Sequence, residues 1–596
     1  MPPVLRFHLQ MLELISISHI FSRPAKEALT ALDHVSFSVP AGHLLAVTGA
    51  AGCGKSTLLN ILAGLHALSG GTVLFRGRDL IQAPLHPNEI GYVPASDLGL
   101  LSVLTVRESV MSALMLRVGA QTKDERVDRA SHLLVGVGLE NVASRRVESL
   151  SLPQKRRLKL ALALVSDPGL VICDEFTDGL DAKSQAEMAA LLKFVVADHP
   201  GRIVIHATET LAHLAAYDTV VILHEGHVCF HGPARAITHY FSIQAVDELY
   251  PRLAKRPASR WGESWIRHRE SYYEAFKLGG SGESLTAPGE TDEDTQDGQR
   301  IKLPVTEEPP RASQKTEVSA AKVAPLPSLI AQVKHLMQRR WSVLWRTQRE
   351  WIGHLTLLLL APLLAALLML PNDHFLSAVT AGDTTPVVLW PAAYTCAMGW
   401  LLQVILVLVF SVRSGAREIA GEWAHYRREQ AGGVRPLAYL LGKLGYVLPI
   451  VILETLLLSA VVEILTGGLP GFAFARLLLL ILTGIAFTTL CLAISAQSGS
   501  AERAHSRAWI LVVMNLLLAG ALLGFPRVLG GVLHPLVTAF YAWSGGMETL
   551  RDTPLYEPLS AFVRTWFATP SLALSALLAH ATAGFLVALH GLRKIR

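Results

Sequence analysis

The 596-residue sequence contains few charged residues for its length. Charged residues make up 17% of the chain and hydrophobic residues 51%, and the mean hydropathy is +0.38. This balance exceeds what a soluble protein usually shows, so part of the chain is expected to lie in a membrane. The apolar excess follows residue 350, whereas the first 270 residues have the mixed composition of a soluble α/β domain.

The sequence also lacks a strong excess of one charge, cysteines in external segments and a leader. The net charge is only +5, which gives no argument for a nucleic-acid partner. The five cysteines lie in the soluble half or within apolar segments, so no disulfide framework is expected. The N-terminus shows no basic region followed by an apolar core and a cleavage site. We therefore expect no signal peptide and a cytosolic first half.

A glycine-rich stretch is the strongest motif in the chain. It consists of Gly49, Ala50, Ala51, Gly52, Cys53, Gly54, Lys55, Ser56 and Thr57. These residues fit G-x-x-x-x-G-K-[ST] at every fixed position, and they stand between an apolar run that predicts a strand and a run that predicts a helix. Backbone N–H groups of such a loop bind a polyphosphate, with Lys55 on the β- and γ-phosphates and Ser56 on a Mg²⁺ ion.

A second motif ends in two carboxylates. Residues 169–173 predict a short buried strand that leads to Asp174 and Glu175. Such a strand delivers Asp174 to the Mg²⁺ ion, and Glu175 can polarise a water for attack on the γ-phosphate. Two antiparallel strands are expected before the glycine-rich stretch. Between them, Phe21 either stacks on adenine or is a core aromatic.

With these motifs the chain resembles the ATP-binding-cassette family. The run 150–154, Leu-Ser-Leu-Pro-Gln, stands where that family carries Leu-Ser-Gly-Gly-Gln, and the run 179–181, Gly-Leu-Asp, matches its D-loop. The resemblance implies an α/β P-loop ATPase domain with a RecA-like core, an antiparallel β subdomain and a helical subdomain. It also implies ATP and Mg²⁺ as cofactors, and it places Ser151, Gln154 and Asp181 at the nucleotide.

Two of the family's contact points are altered. Leu152 and Pro153 replace the signature glycines, whose N–H groups approach the γ-phosphate held by the opposite subunit, and Pro153 has no N–H. Ala95 stands where the family has its Q-loop glutamine. Both substitutions are expected to weaken contacts that promote hydrolysis.

The position of the family's switch histidine is ambiguous. Counting back from Asp218 leaves three candidates, and a fourth fits only with a gap: Ala207, Thr208, Glu209 and, with the gap, His206. We therefore expect ATP binding, but not rapid hydrolysis.

The remaining chain predicts a linker, a connecting helix and a membrane domain. After a cassette at 1–270, residues 271–327 are rich in Gly, Pro, Ser, Thr and acids and predict a disordered linker. Residues 328–350 predict an amphipathic connecting helix. Residues 351–596 predict an all-α six-helix transmembrane domain, with spans near 352–370, 386–410, 444–465, 476–497, 508–525 and 570–591.

Lysine and arginine orient these six segments. Basic residues crowd before the first segment, between the second and third, between the fourth and fifth, and after the sixth, whereas residues 371–386 contain none. The positive-inside rule then puts both termini in the cytosol. We expect a multi-pass protein of the plasma (inner) membrane.

The order of ATPase, six spans and a long outer loop near 526–569 resembles the G-type, or White, subfamily of half-transporters and its bacterial relatives. The run from Arg417 to Glu429 is similar to that subfamily's charged cytosolic elbow, which contacts the ATPase domain and transmits its movement. A solvated charged loop is the alternative. Glu454 is expected either to shape a polar pathway or to be a neutral acid bonded to a neighbouring helix. Asn515 is expected to bond another helix.

Two functions fit these features. The first is an ATP-driven half-transporter that works in membrane lipid as a homodimer, or as a heterodimer with another half-transporter, and exports an apolar or amphipathic substrate. The second is a degenerate, nucleotide-binding regulatory subunit paired with a hydrolysis-competent half-transporter, which the residues Ala95, Leu152 and Pro153 favour. The spans exclude a soluble cassette that acts on nucleic acid.

Overall fold

A computed structural model describes most of the chain. The described residues are 12–21, 28–97, 99–119, 121–199, 201–276, 324–466, 468–523, 527–562 and 565–594. The chain forms two compact units, a first one of Met1–Ala95 with Pro168–Ala324 and a second one of Ser96–Asp167 with Pro325–Arg596. Most of the predicted linker, residues 277–323, lies outside the described residues.

All strands of the described residues belong to the first unit. They are β1 (Leu12–Phe21), β2 (Leu29–Val39), β3 (Leu44–Thr48), β4 (Gly70–Phe75), β5 (Arg78–Asp79), β6 (Ile90–Val93), β7 (Leu170–Asp174), β8 (Ile203–Thr208), β9 (Thr219–His224) and β10 (His227–Gly232). One sheet has the order β2-β1-β4-β5 and is antiparallel. The other has the order β10-β9-β3-β8-β7-β6 and is parallel except for β10. The antiparallel pair expected before the glycine-rich stretch is confirmed as β1 and β2.

The helices of the first 276 residues are numbered along the chain through both units. They are α1 (Lys55–Leu62), α2 (Val106–Arg117), α3 (Lys123–Gly136), α4 (Leu152–Leu164), α5 (Ala182–Asp198), α6 (Ile237–Phe241), α7 (Leu249–Leu253) and α8 (Ala258–Phe276). Because α8 continues through Phe276, the first six residues of the predicted linker are helical.

The helices after residue 324 all belong to the second unit. They are α9 (Leu329–Arg346), α10 (Gln348–Met369), α11 (Asp373–Thr380), α12 (Pro386–Gly415), α13 (Trp423–Ala431), α14 (Pro436–Leu465), α15 (Ala473–Gln497), α16 (Ala501–Leu518), α17 (Arg527–Leu533), α18 (Thr538–Glu548), α19 (Tyr556–Phe562) and α20 (Pro570–Lys594). α9 occupies the predicted connecting helix.

The parallel sheet positions the first unit's site. Strand β3, Leu-Leu-Ala-Val-Thr, is buried at all five residues, as expected for a parallel strand covered on both faces. It lies between β8 and β9, and β7 lies beyond β8. The carboxyl ends of β3, β8 and β7 therefore meet at one edge of the sheet, where ligands bind in α/β proteins.

The second unit has an aromatic and aliphatic core. Large fully buried side chains in it are Trp400, Phe410, Phe487, Phe540 and Trp543. Helices α15 and α20 pack so closely that a Cβ added to Gly584 would lie 2.5 Å from Thr489 Oγ1. Small residues of this kind let helix backbones approach each other where no hydrophobic effect drives association.

Within the described residues, five helical stretches are long and apolar enough to cross a membrane. They are Gln348–Asn372, Pro386–Ala431, Pro436–Leu465, Ala473–Gln497 and Pro570–Lys594. The predicted count of six is not confirmed. The fifth predicted span falls in α16, whose 18 residues begin with the charged Glu502 and Arg503. Its apolar part, residues 508–518, extends about 17 Å, which is shorter than a hydrocarbon core of roughly 30 Å.

The long segment predicted as an outer loop near 526–569 contains the helices α17, α18 and α19, and its place outside the membrane stays a prediction. All eleven residues of α18 are buried. Asn515 Oδ1 on α16 accepts the N–H of Ala539 at 3.1 Å, and Trp400 Nε1 on α12 donates to Ala542 O at 3.0 Å. The expected bond from Asn515 to another helix is confirmed. The run Ala-Phe-Tyr-Ala-Trp in α18 supplies apolar side chains that pack into the core, so α18 is not exposed.

The helix pair α10 and α14 is joined by a polar contact. Glu454 on α14 is 2% exposed, and its Oε1 lies 3.0 Å from Nδ1 of His354 on α10. Of the two interpretations of Glu454, the bond to a neighbouring helix is the one this geometry matches.

Three of the long helices contain an interior proline. They are α10 with Pro362, α12 with Pro391 and α14 with Pro449. A proline has no N–H for the carbonyl group four residues earlier, so each of these helices lacks one bond of its ladder. Helices α15 and α20 have no interior proline.

Candidate functional site

The predicted phosphate-binding residues lie together at the carboxyl end of β3. They are Gly49, Ala50, Ala51, Gly52, Cys53, Gly54, Lys55, Ser56 and Thr57, called here the phosphate loop. Gly54 precedes α1 with a φ of 108°, and a Cβ there would lie 2.6 Å from Ala31 O, so only glycine fits. Nζ of Lys55 donates to the carbonyl oxygens of Gly49 at 2.8 Å and Ala50 at 3.1 Å. The main chain of the phosphate loop thus wraps around the Lys55 ammonium group.

Ser56 and Asp174, the two predicted metal ligands, are brought together from α1 and β7. Ser56 Oγ donates to Asp174 Oδ1 at 3.2 Å. Burial, followed by the neighbouring Glu175 carboxylate, raises the pKa of Asp174 to about 6. A cation at this place would favour the ionised carboxylate. A hydroxyl and a carboxylate fit Mg²⁺, which takes few protein ligands and completes its shell with substrate phosphates and water.

Glu175, the predicted catalytic residue, directly follows β7. Its φ is 49°, in the left-handed region, and its N–H donates to Ala207 O at 2.9 Å. Non-glycine residues rarely adopt this backbone conformation, and those that do cluster at active sites. The backbone of Glu175 is held there by the end of β8.

The pairing of β7 with β8 decides which switch candidate reaches the phosphate loop. Asp174 lies beside Ala207 in the parallel register, and β8 ends one residue later, at Thr208. Glu209 is therefore the first residue after β8, at the same edge of the sheet as Asp174. Its Oε1 lies 3.1 Å from Nζ of Lys55, whose side chain is 5% exposed. The Glu209 carboxylate therefore binds the Lys55 ammonium group, which is the group expected to bind the terminal phosphates.

The other switch candidates point elsewhere or have different partners. Ala207 is buried inside β8. Thr208 Oγ1 donates to Asp178 Oδ1 at 2.6 Å. His206 is fully buried, with Nδ1 2.7 Å from the hydroxyl of Tyr217, and burial lowers its pKa to about 4. His206 is a core histidine in this fold.

Two residues that sequence reasoning missed hold Glu209 in place. Asp178 Oδ2 accepts the N–H of Glu209 at 3.2 Å. The hydroxyl of Tyr250, on α7, donates to Glu209 O at 2.7 Å and lies 3.0 Å from Thr48 Oγ1. The cluster of four acids within residues 174–181 is a signal that could have pointed to Asp178 as a site residue. Tyr250 has no such local signal in the sequence.

Two further predicted nucleotide contacts lie in the first unit. Phe21 ends β1, and its ring meets those of His19 and His66 edge to face, with centroids 4.5 Å and 5.8 Å away. Its stacking on adenine stays a prediction. Asp181 caps α5 by accepting the N–H of Ser184 at 3.0 Å. Its nucleotide contact also stays a prediction.

The altered signature lies in the second unit, at the start of α4. Gln154 Oε1 accepts the N–H of Ser151 at 3.0 Å, so the glutamine carboxamide is used within its own helix turn. Pro153 stands in that first turn and offers no donor, and Leu152 is 37% exposed. The first turn of α4 therefore presents an apolar side chain where the family presents backbone N–H groups.

A second candidate site is the run 417–429, called here the elbow. Its carboxylates are buried in ion pairs with helices α9 and α14. The pairs are Glu418 with Arg340 at 2.6 Å and with Lys443 at 2.8 Å, Glu422 with Lys443 at 2.7 Å, and Glu429 with Arg339 at 3.0 Å. The alternative of a solvated loop was wrong, because these carboxylates are shielded and paired.

The elbow and α9 also contact residues 99–112, which belong to the same unit. His425 Nδ1 lies 2.9 Å from Gly99 O. Arg346 binds both carboxylate oxygens of Glu108 on α2, at 2.6 Å and 2.7 Å, and holds the pKa of that carboxyl at about 2. Arg339 donates to Ser112 Oγ at 3.2 Å. The helical part of the predicted cassette is thus tied to the elbow and the connecting helix.

Two known families match separate parts of the chain. The family described as "ABC transporter" matches residues 32–178, and the family described as "ABC-2 type transporter" matches residues 331–533. The cassette therefore precedes the membrane domain, as expected.

Curated relatives match either the cassette or most of the chain. The sulfate/thiosulfate import ATP-binding protein CysA of Mycobacterium tuberculosis is 36% identical over 39% of this chain and 68% of that protein. The ABC transporter ATP-binding/permease protein Rv1747 of the same organism is 27% identical over 83% of this chain and 52% of that protein. The macrolide export ATP-binding/permease protein MacB of Pasteurella multocida is 29% identical over 38% of this chain and 34% of that protein.

We predict that Glu209→Gln tightens ATP binding about fivefold. The substitution removes a carboxylate that competes with the γ-phosphate for Lys55, and fivefold corresponds to roughly 1 kcal/mol of repulsion. Titration of a fluorescent ATP analogue measures the change, with Glu270→Gln on the exposed face of α8 as the matched control. Glu209→His should in addition raise the ATPase rate, because an imidazole can donate to the phosphate. Unchanged affinity in Glu209→Gln would contradict the role given to this carboxylate.

Proposed function

The chain belongs to the ATP-binding-cassette transporter family, and on that premise we propose that it is one half of a dimeric exporter of a hydrophobic or amphipathic substrate. It is an ATPase coupled to transport, with a cassette followed by an ABC-2 type membrane domain. The observation that carries the proposal is that cassette and spans share one chain. The relative that matches over 83% of this chain is named as an ATP-binding/permease protein, and this supports a transporter with both parts in one chain. The macrolide export protein and the sulfate/thiosulfate import protein each match over less than 40% of the chain, so the direction of transport rests on the resemblance to the G-type subfamily.

The proposed chemistry uses the residues at the edge of the parallel sheet. Lys55 and the N–H groups of the phosphate loop bind the terminal phosphates of ATP. Ser56 and Asp174 hold Mg²⁺, which supplies charge neutralisation at those phosphates when it is bound. Glu175 accepts a proton from the attacking water. Glu209 leaves Lys55 when the γ-phosphate arrives, since both cannot take the same ammonium group.

Each nucleotide is proposed to lie between two cassettes. One cassette supplies the phosphate loop and Phe21, which stacks on adenine, and the other supplies Ser151, Gln154 and Asp181. Because six spans and one cassette make half of this family's assembly, a second subunit completes both the nucleotide sites and the pathway. Closure of the two cassettes then turns the spans outward.

The elbow is proposed to carry that closure to the spans. Arg346 and His425 bind residues 99–112 of the cassette sequence, while buried ion pairs join the elbow to α9 and α14. A movement of α2 is therefore passed to two membrane-proximal helices through charge-assisted hydrogen bonds, which are short and directional.

A sixth crossing is proposed through α16. An odd number of spans would put the basic C-terminal residues Arg593 and Lys594 on the side opposite the cassette, against the positive-inside rule. Residues 508–518 are apolar and follow a basic stretch, and α18 is buried close by through the Asn515 bond. Six crossings put both termini in the cytosol, with the chain in the plasma (inner) membrane.

A second candidate function has its own support. Leu152 and Pro153 in the signature, Ala95 in the Q-loop and Glu209 at the switch position each remove a group that promotes hydrolysis in the family. A chain with these changes suits a regulatory subunit that binds ATP and pairs with a hydrolysis-competent half-transporter. Whether a complete cassette subunit co-purifies with this chain separates the two functions.

We predict that the purified chain in lipid vesicles hydrolyses ATP and accumulates a fluorescent amphipathic dye when its cassettes face outward. Glu175→Gln should lower both rates about 100-fold or more, because it removes the general base. Glu187→Gln on the exposed face of α5 is the control. A stable, active monomer by mass measurement would contradict the dimer, and dye uptake that survives Glu175→Gln would contradict ATP-driven export.

We predict that Arg346→Glu uncouples the two halves of the reaction. The new carboxylate would face Glu108 and repel α2, while the phosphate loop stays intact. ATP hydrolysis should then persist, but the ATP-dependent change in amide hydrogen exchange of α14 and α15 should fall severalfold. Arg349→Glu, three residues further on and also exposed, should keep that change. An equal loss in both variants would argue against the Glu108 contact as the route.

We predict that Leu152→Gly combined with Pro153→Gly raises the ATPase rate of a homodimer severalfold. Glycines free the first turn of α4 to present N–H groups to a γ-phosphate, and a charge-assisted contact of that kind is typically worth a few kcal/mol, of which only part would be recovered. The rate is measured on the purified chain, with Val135→Gly, an exposed apolar position near the end of α3, as the control. No gain would show that Ala95 or Glu209 limits turnover instead.

A further inference from the structure

The second unit contains a cavity that none of the ATPase chemistry uses. It has a volume of about 370 Å³ and lies between α12, the last turns of α14 and the first turns of α15. Residues that line it include Trp400, Gln403, Leu456, Glu463, Phe474 and Arg476. Since α14 begins beside the elbow and ends at this cavity, the cavity lies at the end of the helix bundle away from the elbow. Its volume is that of a small-ligand site.

The cavity holds two opposite charges at a short distance. Arg476 is 4% exposed, and its guanidinium donates to Leu469 O at 2.7 Å and Pro470 O at 2.6 Å. Those bonds use two of its five N–H groups, so donors remain. Glu463 lies 3.8 Å from Arg476, with 41% of its side chain exposed. A buried cation and a partly open anion therefore stand side by side.

A third polar side chain, that of Gln403, also lines the cavity. Gln403 is 3% exposed on α12, and no described residue hydrogen-bonds its carboxamide. A polar side chain within a membrane-spanning helix is costly unless it is hydrogen-bonded, and a ligand is one group that can satisfy it. The carboxamide offers both a donor and an acceptor to whatever enters.

Apart from Ser459, the remaining side chains of the cavity wall are apolar. Leu456 is 39% exposed and Phe474 is 66% exposed, whereas Trp400 is fully buried behind them. A long apolar tail could thus leave the cavity along Leu456 and Phe474 towards the lipid. The buried polar groups Gln403 and Arg476 thus lie beside the exposed apolar side chains Leu456 and Phe474, a combination that suits an amphiphile.

We propose that this cavity binds the head group of a zwitterionic amphiphile. The anionic part pairs with the remaining N–H groups of Arg476, the cationic part pairs with Glu463, and Gln403 hydrogen-bonds the atoms between them. A head with one net charge would leave either Arg476 or Glu463 without a complement, and such mismatches select against a ligand. The inference rests on the proposed function and deepens it by naming the class of amphiphile.

The test measures binding separately from transport. The full chain in nonionic detergent is mixed with dodecylphosphocholine, dodecyl phosphate or dodecyltrimethylammonium, which share one tail and differ in head charge. Native mass spectrometry counts the adducts. We expect one dodecylphosphocholine per chain, retained about tenfold better than either charged probe. Equal retention of the three probes would overturn the proposal.

Variants locate the site. Gln403→Leu and Glu463→Gln should each lower dodecylphosphocholine retention about tenfold, and Glu463→Gln should also shift the preference towards dodecyl phosphate. Gln497→Leu and Glu557→Gln, exposed in the same unit, are matched controls and should bind as the unchanged chain does. If Gln403→Leu fails to fold, the partly exposed Glu463→Gln still decides, and normal retention in it would overturn the proposal. ATPase assays on the same samples keep the two questions apart, since selective binding without ATP hydrolysis contradicts only the transport function.

Discussion

A charge withdrawn from water has to meet an opposite charge, and this requirement organises both units of the chain. In the first unit Lys55 is almost completely buried, and its ammonium group is bound by the Glu209 carboxylate and two loop carbonyls. In the second unit the elbow carboxylates are met by Arg339, Arg340 and Lys443. Each pairing fixes the relative position of elements that are far apart in the sequence.

These pairings differ in what can break them. The partner of Lys55 is a carboxylate with nearly half of its surface in water, so a phosphate group can replace it at little desolvation cost. The elbow carboxylates Glu418 and Glu429 are buried with their partners, and removing one member would leave an uncompensated charge. The first unit therefore contains an exchangeable contact, and the second contains permanent ones that keep the elbow rigid between α9 and α14.

The sequence predicted the parts of the site that depend on neighbouring residues. The phosphate loop and the strand that ends at Asp174 were recognisable because their chemistry needs a fixed spacing within one turn or one strand. The choice of Glu209 over His206 as the residue at Lys55 could not be predicted, because it depends on the register between β7 and β8. The contact of Tyr250 could not be predicted either, because Tyr250 lies on a helix distant in the sequence. Both are tertiary facts without a local pattern.

Hydropathy likewise located most of the membrane helices. It did not distinguish apolar segments that face lipid from apolar segments that are buried in the protein. The apolar run in α18 suits a protein core as well as a loop between spans, and α16 is shortened by charged residues at its start. Composition alone cannot separate these cases, since Leu and Ala lower the free energy equally in lipid and in a packed helix bundle. The contacts of Asn515 and Trp400 are what place α18 inside the bundle.

The interior prolines give the bundle an uneven mechanical compliance. A helix resists bending through its ladder of main-chain bonds, and a proline both removes one rung and displaces the carbonyl behind it. Helices α10, α12 and α14 each contain such a soft point, whereas α15 and α20 form an uninterrupted pair locked at Gly584. A force applied at the elbow would therefore bend these three helices at Pro362, Pro391 and Pro449. The α15–α20 pair would bend less and keep its shape while the other helices move against it.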